Sequence, residues 1–396
     1  MKYALIIPDG AADVPLAELD GKTPLQVAKK PTMDWIASHG RVGTVRTVPK
    51  GMYCGSDVAI MAVLGYDPRK HYSGRAPIEA AAQGLIVDPD EWILRCNFVT
   101  IVDGIMEDHS AGHITTKEAT ALIGEIHRIL GGQTVRFYPG VSYRHLMTIR
   151  AELKNVSTTP PHDILGKPVA AHLPQGEKAD LLRTMIDRSQ AILAAHEVNV
   201  VRRDLGENPA TNIWLWGQGK MPNLPSFQSQ FKLRGAAITA VDLIRGLAKL
   251  IGWPAIEVPG ATGFLDTNYA GKGAAAVAAL DEYDLVVVHV EAPDECGHNA
   301  DVAGKVRAIG EIDQHIVAPV LERLRKEGDD WRILVLPDHP TPCTIRTHTG
   351  DPVPYALAGK RIESVVKATF DEPSAQDSDL HINAGNKLME FFLTVR

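Results

Sequence analysis

Three apolar runs in this 396-residue chain each stop at side chains suited to binding metal ions. Residues 4–8, read ALIIP, run into Asp9. Residues 285–290, LVVVHV, are followed by E-A-P-D-E-C-G-H, which carries Asp294 and His298. Residues 333–337, ILVLP, run into Asp338 and His339, and His348 follows in T-H-T-G-D-P-V-P-Y. A single aspartate after a strand more often closes a turn than binds an ion. Three strand ends of the same chemistry are a much stronger signal, because loops after the carboxyl ends of parallel strands open onto one edge of the sheet. Carboxylates with imidazoles suit Zn²⁺, Mn²⁺ or a related divalent ion, and there are enough of them for two.

A fourth element is Ser56, in the run G-S-D-V-A-I-M-A-V-L-G-Y that opens a helix. Serine is a favoured helix N-cap, and G-S-D alone signals no more than that. The same position places a hydroxyl at the positive end of a helix dipole, where an incoming phosphate is favoured. Beside a two-metal site it becomes the natural nucleophile, since a coordinated ion lowers the pKa of a hydroxyl and holds it for attack. The chemistry implied is metal-assisted phosphoryl transfer on Ser56.

The elements that must position these residues alternate between strand and helix. The pattern predicts a strand at 3–8, a helical stretch at 23–39, a strand at 41–48 and a helix at 57–64. From about residue 235 the alternation is clearest, with the run AAITAV, helices at 242–251 and 267–280, DLVVVHV, one long helix at 301–326, RILVLP, and a closing helix at 383–393. That order predicts an α/β fold with a mostly parallel sheet. Between lie a strand at 92–102, helices at 115–130 and 178–196, and strand-like runs at 135–138 and 146–149, bracketed by Pro-rich loops at 158–163 and 221–227. The simplest organisation is one core from 1–110 and 235–396, with a smaller α+β domain inserted at 111–234.

Composition narrows the classes. Hydrophobic residues at 45% and charged residues at 22% describe a globular chain rather than a disordered one. The net charge of −7, with no clustering of Lys and Arg, argues against a nucleic-acid or membrane surface. No apolar stretch is long enough for a secretory signal or a membrane span, so a cytoplasmic location is expected. The four cysteines (Cys54, Cys96, Cys296, Cys343) form no C-x-x-C pair and read as separate thiols.

The strings IIPDGAAD, GSDVA, LGYDP, YSGRAPIEA, GATGFLDTNYAGK, EAPDECGH, PDHPTPC and THTGDPVPY together resemble the cofactor-independent phosphoglycerate mutases of archaeal type, of the alkaline phosphatase-like superfamily. The resemblance covers roughly 1–115 and 235–396. It implies that Ser56 becomes phosphorylated, that Asp294, His298 and His348 hold one ion, and that Asp9, Ser56, Asp338 and His339 hold a second. Manganese is the implied metal, with zinc, cobalt or magnesium as alternatives. The implied reaction is the glycolytic isomerisation of 2-phosphoglycerate and 3-phosphoglycerate through a phosphoserine, with the inserted domain closing over a small phosphorylated substrate. No other partner is implied, and a homo-oligomer stays open.

The chain departs from that family at 108–113, where D-H-S-A-G-H stands in place of an arginine-rich D-R-R-A-G-R. Arginine is the natural bidentate partner of phosphate and carboxylate, so substrate recognition is the part that changes. Arg75, Asp108, Arg144 and Lys272 are the expected substrate contacts. A homoserine kinase or another phosphotransferase on the same Ser56, a phosphatase, and a catalytically silent metal-binding scaffold are the alternative readings.

Overall fold

The computed structural model describes residues 1–365 and 367–394. By their internal contacts they divide into two units, Met1–Tyr72 with Asn223–Arg396, and Ser73–Pro222.

The first unit is α/β and is built on an eight-stranded sheet. Its order is Ala255–Ile256, Gly235–Ile238, Leu285–Val290, Lys2–Pro8, Trp331–Val335, Val353–Gly359, Arg41–Val45, His381–Ile382. The first five strands run parallel, and Val353–Gly359 is antiparallel to both its neighbours. Every residue of Leu285–Val290 and Trp331–Val335 is buried, as is all of Lys2–Pro8 except Lys2. Strands covered by helices on both faces require this, which is why they read as unbroken apolar runs rather than alternating ones. These three strands are neighbours, with Lys2–Pro8 in the middle. Pro8 lies beside Val290 and Ile6 beside Val335, so all three chains leave the sheet at one edge.

Two long helical stretches are interrupted where the sequence pattern runs on, and the closing helix expected at 383–393 begins at Leu388. The stretch 23–39 is broken into Pro24–Val27, capped by a Thr23/Gln26 capping box, and Pro31–His39. Pro31 has no N–H to continue the first helix but suits the start of the next. The long helix at 301–326 runs from Val302 to Ile312, widens into a π-turn at Asp313–Val317, and resumes as Ala318–Arg325. Pro319 cannot donate to the His315 carbonyl. That carbonyl instead lies against Gly273 of the helix Tyr269–Glu282, where a Cβ would come within 1.9 Å of it. The π-turn also places Asp313 to accept the N–H groups of Thr32 (3.0 Å) and Met33 (2.7 Å), at the start of Pro31–His39.

The second unit holds an antiparallel sheet centred on Trp92–Val102, which pairs with Arg144–Ile149, Asn212–Gly219 and Ile105–Asp108. Val135–Tyr138 extends it beyond Arg144–Ile149. The helices Thr116–Leu130 and Ala179–Ala195 contribute Leu122, Ile126, Leu182 and Ile186 to its core. This unit spans Ser73–Pro222, against the insertion expected at 111–234. The strand Trp92–Val102 reads from sequence as apolar but does not name its partners, and pairing with segments at 144–149 and 212–219 carries it into this unit. Among the described residues no helix is long and apolar enough to cross a membrane, and the four cysteines are unpaired.

Candidate active site

Asp9 follows Lys2–Pro8 directly, and Asp338 and His339 follow the end of Trp331–Val335. Asp294 and His298 sit four apart on one face of the short helix Ala292–His298, just after Leu285–Val290. Ser56 is the first residue of the helix Ser56–Val63, and His348 lies in the loop before Val353–Gly359. Sheet order brings all seven to one edge, in two touching groups.

In the first group the Asp294 carboxylate lies 3.3 Å from His298 Nε2 through Oδ2 and 3.3 Å from His348 Nε2 through Oδ1. The two Nε2 atoms are 2.9 Å apart. Each ring gives its Nδ1–H to a backbone carbonyl, His298 to Arg346 and His348 to Cys54, both at 3.0 Å. The Nε2 atoms of both rings and the Asp294 carboxylate therefore converge on one point, as ligand atoms around an ion do. The hydrogen bond to Asp294 lifts His298 to about 9 against the effect of burial. His348, which burial would lower, is also raised by Asp294. Burial would raise Asp294, but its bonds to the two histidines hold it well below the carboxylate range.

The second group is fully enclosed: Asp9, Asp338 and His339 each have 0% exposure. His339 Nε2 is 3.1 Å from Ser56 Oγ, 3.2 Å from Asp338 Oδ2 and 3.7 Å from Asp9 Oδ1. Each carboxylate is held by its other oxygen. Asp338 Oδ1 accepts the N–H groups of Gly10 (3.2 Å) and His339 (2.9 Å), and Asp9 Oδ2 lies 2.6 Å from His289 Nε2. Asp9 Oδ1 and Asp338 Oδ2 are left buried with no hydrogen-bond donor. Burial, then the charge of Asp338, pushes Asp9 well above its usual range. Two buried carboxylates with orphaned oxygens at one point need a cation there, so this donor set fits a divalent ion. The groups adjoin through the His339 and His348 rings, whose centroids are 4.0 Å apart. Ligand atoms of Asp294, His339 and His348, of Asp9, Asp338 and His339, and of Asp9, His289 and Glu291 lie within 4.8 Å of one another in each set.

Ser56 does not cap its helix. Gly55 is the N-cap residue, with no side-chain cap bond, and the Ser56 hydroxyl is bonded to His339. Sequence reasoning passed over His289, Glu291 and Thr341. A histidine inside the run LVVVHV was the available signal for the first. His289 is held down to about 3 by burial, so the ring is neutral. The Thr239 hydroxyl, which accepts the Val241 N–H, meets Nδ1 at 3.1 Å and leaves Nε2–H for Asp9. Glu291 is pushed up to about 8, by burial and then by Asp294.

Of the expected substrate contacts, Lys272 lies in the first unit. It is buried, donates to the His289 carbonyl at 3.2 Å, and is lowered to about 8 by burial. The other three lie in the second unit. Arg75 donates to Glu79 at 3.2 Å, and Arg144 packs its guanidinium 5.5 Å from the Tyr143 ring. The buried Arg95 stacks 4.2 Å from the Trp216 ring and pairs with Glu79 at 2.9 Å; burial brings it down to about 10 against the Glu79 charge, and the charges of Arg75 and Arg144 lower it further. His109 contacts Tyr143 and His162 edge-on beside them. Asp108 is bonded within the second unit through both carboxylate oxygens. Oδ1 accepts the N–H and hydroxyl of Ser110 (2.7 Å each), and Oδ2 accepts Gly112 N–H (2.8 Å) and Asn208 Nδ2 (3.2 Å). Burial would raise it, but these bonds bring it down to about 2.

A family model described as 2,3-bisphosphoglycerate-independent phosphoglycerate mutase matches residues 37–199. A protein of that name from Methanothrix thermoacetophila is 49% identical over 393 residues, covering 99% of this chain and 100% of its own. Another from Methanosarcina barkeri is 47% identical over 391 residues, covering 98% of each. A solved Pyrococcus horikoshii structure matches with a TM-score of 0.83 at 29% identity, over 99% of this chain and 96% of that one. The cofactor-independent phosphoglycerate mutase from Thermoplasma acidophilum matches with a TM-score of 0.65 at 26% identity, over 99% of both chains. Near-complete coverage at this identity places the chain in the 2,3-bisphosphoglycerate-independent phosphoglycerate mutase family.

Proposed function

We propose that the chain is a cytoplasmic phosphoglycerate mutase that interconverts 2-phosphoglycerate and 3-phosphoglycerate through a phosphoserine on Ser56. Asp294, His298 and His348 would hold one divalent ion, and Asp9, Ser56, Asp338 and His339 a second, manganese being the first candidate for both. Bound there, such ions supply Lewis-acid stabilisation of phosphoryl oxygens and a lowered hydroxyl pKa. The observation that carries the reading is the Ser56 hydroxyl, free of any capping role and 3.1 Å from His339 Nε2, where the two ligand groups adjoin.

The step written out is an exchange of two P–O bonds. Ser56 Oγ bonds to phosphorus as the bond to one glycerate oxygen breaks, and that oxygen gains a proton. The neighbouring glycerate hydroxyl then bonds to phosphorus, loses its proton and frees Ser56, so substrate and product are isomers. The dipole of the helix Ser56–Val63 favours the anion, and His289 keeps Asp9 oriented through a proton on Nε2. Within the second unit, Arg144 beside the Glu79-paired Arg75 and Arg95 supplies counter-charge for a phosphate or carboxylate. Asp108 shapes the loop at 108–113. That loop, with His109 and Ser110 in place of arginines, is also the observation that favours a second reading, phosphorylation of homoserine by the same serine.

The test is phosphorus NMR of the manganese-loaded protein with 3-phosphoglycerate and no added bisphosphoglycerate. The 2-phosphoglycerate resonance is expected to grow to equilibrium. Its absence, with phosphohomoserine formed from ATP and homoserine, would replace the mutase with the kinase.

A further inference from the structure

Thr341 stands three residues past Asp338, is fully buried, and has its hydroxyl between the two ligand groups. Thr341 Oγ1 bonds to Asp294 Oδ1 of the first group and lies 3.3 Å from His339 Nδ1 of the second. The direction of both bonds follows from donor chemistry. An ionised carboxylate only accepts, so the hydroxyl proton points to Asp294. The oxygen is then left to accept, and the His339 proton must sit on Nδ1. That puts the lone pair of His339 on Nε2, facing Ser56 Oγ, Asp338 Oδ2 and Asp9 Oδ1.

The backbone around this hydroxyl is held on every side. Thr341 N–H donates to the Ala12 carbonyl at 3.2 Å. The Thr341 carbonyl accepts from the buried Lys305 at 2.8 Å, and Lys305 also pairs with the buried Asp13 at 2.8 Å. Gly10, in the left-handed region at φ 60°, presses on the bond itself: a Cβ there would come within 2.6 Å of both Asp294 Oδ1 and Thr341 Oγ1. The turn after Asp9 thus closes directly over the link between the groups.

We propose that Thr341 is a positioning residue that couples the two ligand groups, orienting Asp294 and fixing the tautomer of His339 with one hydroxyl. Outer hydrogen bonds of this kind hold ligands in the form that binds a cation, and losing one typically weakens metal affinity about 10–100-fold. Without the hydroxyl, His339 Nδ1–H has no acceptor. Its proton would then move to Nε2, where the orphaned oxygens of Asp338 and Asp9 can receive it. That tautomer has no lone pair to offer an ion. The inference about metal affinity rests on the two-ion reading above, whereas the inference about the tautomer does not.

The experiment compares wild type, Thr341→Val and Thr341→Ser, each checked for folding by circular dichroism. In chelated, metal-free protein, two-bond proton–nitrogen NMR on ¹⁵N-histidine label reads the tautomer, with His339 assigned by its loss in His339→Asn. Wild type and Thr341→Ser are expected to carry the proton on Nδ1, and Thr341→Val on Nε2. A Val variant that keeps Nδ1–H would overturn the proposal. Manganese titration by calorimetry should then show both binding events weakened at least about tenfold in Thr341→Val and recovered in Thr341→Ser. Weakening of one event alone would overturn the coupling. A folded wild type that binds no manganese would refute the two-ion reading, and the tautomer comparison would still decide the role of Thr341.

Discussion

Ser56 opens a helix without capping it: its Oγ lies 3.1 Å from His339 Nε2, and Gly55 holds the N-cap position. The substitution Ser56→Ala therefore removes one partly buried hydrogen bond and no cap. Its expected cost is about 1 kcal/mol of stability, too little to unfold the protein. Turnover of 3-phosphoglycerate should fall on the order of 10⁴-fold or more, as when other enzymes lose a nucleophile. Initial rates alongside a denaturation curve check this, and a rate near wild type would remove Ser56 from the mechanism.

Chelation should abolish activity, and manganese should restore it. The reason is the pair of orphaned carboxylate oxygens on Asp9 and Asp338 together with the His298 and His348 Nε2 atoms, 2.9 Å apart beside Asp294. Ion binding to the folded state alone also raises stability, by about 2.7 kcal/mol at a hundred times Kd. Added manganese should accordingly raise Tm. A chelated protein shown metal-free by elemental analysis, yet fully active, would end the metal assignment.

The second unit should lose stability in mild acid through His145. This buried ring accepts the Gly140 N–H at Nδ1 (3.0 Å), packs edge-on to Phe98, and is lowered to about 3 by burial. A folded-state pKa below the unfolded value of 6.5 means the contribution is full above pH 6.5 and is lost as pH falls toward 3. The slope has an upper bound of about 1.4 kcal/mol per pH unit. Urea denaturation between pH 7 and pH 4 should show a shallower fall in His145→Gln than in wild type. Parallel curves for the two would refute the assignment.

His109→Arg should strengthen binding of phosphoglycerate. Ser110 is buried and bonded to Asp108, so an arginine there would break the loop, whereas His109 is only partly buried and sits beside Tyr143 and His162. One added charge-assisted hydrogen bond contributes about 1.5–3 kcal/mol, or a KM lower by roughly tenfold or more. Steady-state kinetics with 3-phosphoglycerate read it directly. An unchanged KM would place phosphoglycerate away from His109.

The strand-end residues Asp9, Asp294, His298, Asp338, His339 and His348 are legible in the chain itself. Asp9, Asp294 and Asp338 each come just after an apolar run long enough to be a buried strand, and the repetition of that pattern at three strand ends is what marks them as candidate ligands. The alternation of strand and helix was legible for the same reason, since burial on both faces leaves an unbroken apolar signal. Hydrophobic pattern carries no record of which strand lies beside which. That Lys2–Pro8 is flanked by Leu285–Val290 and Trp331–Val335, which turns three scattered runs into one edge, was decided by tertiary pairing. The same pairing sets Ile7 beside His289, bringing a histidine that looked like part of a strand to within 2.6 Å of Asp9. It also assigned Trp92–Val102 to the second unit. The hydrogen bonds that the 108–113 loop makes to both Asp108 oxygens were likewise set by the fold. Thr341 offered no signal at all. A lone threonine has no periodicity and no charge, and it acquires a role only because folding places Asp294 and His339 on either side of its hydroxyl.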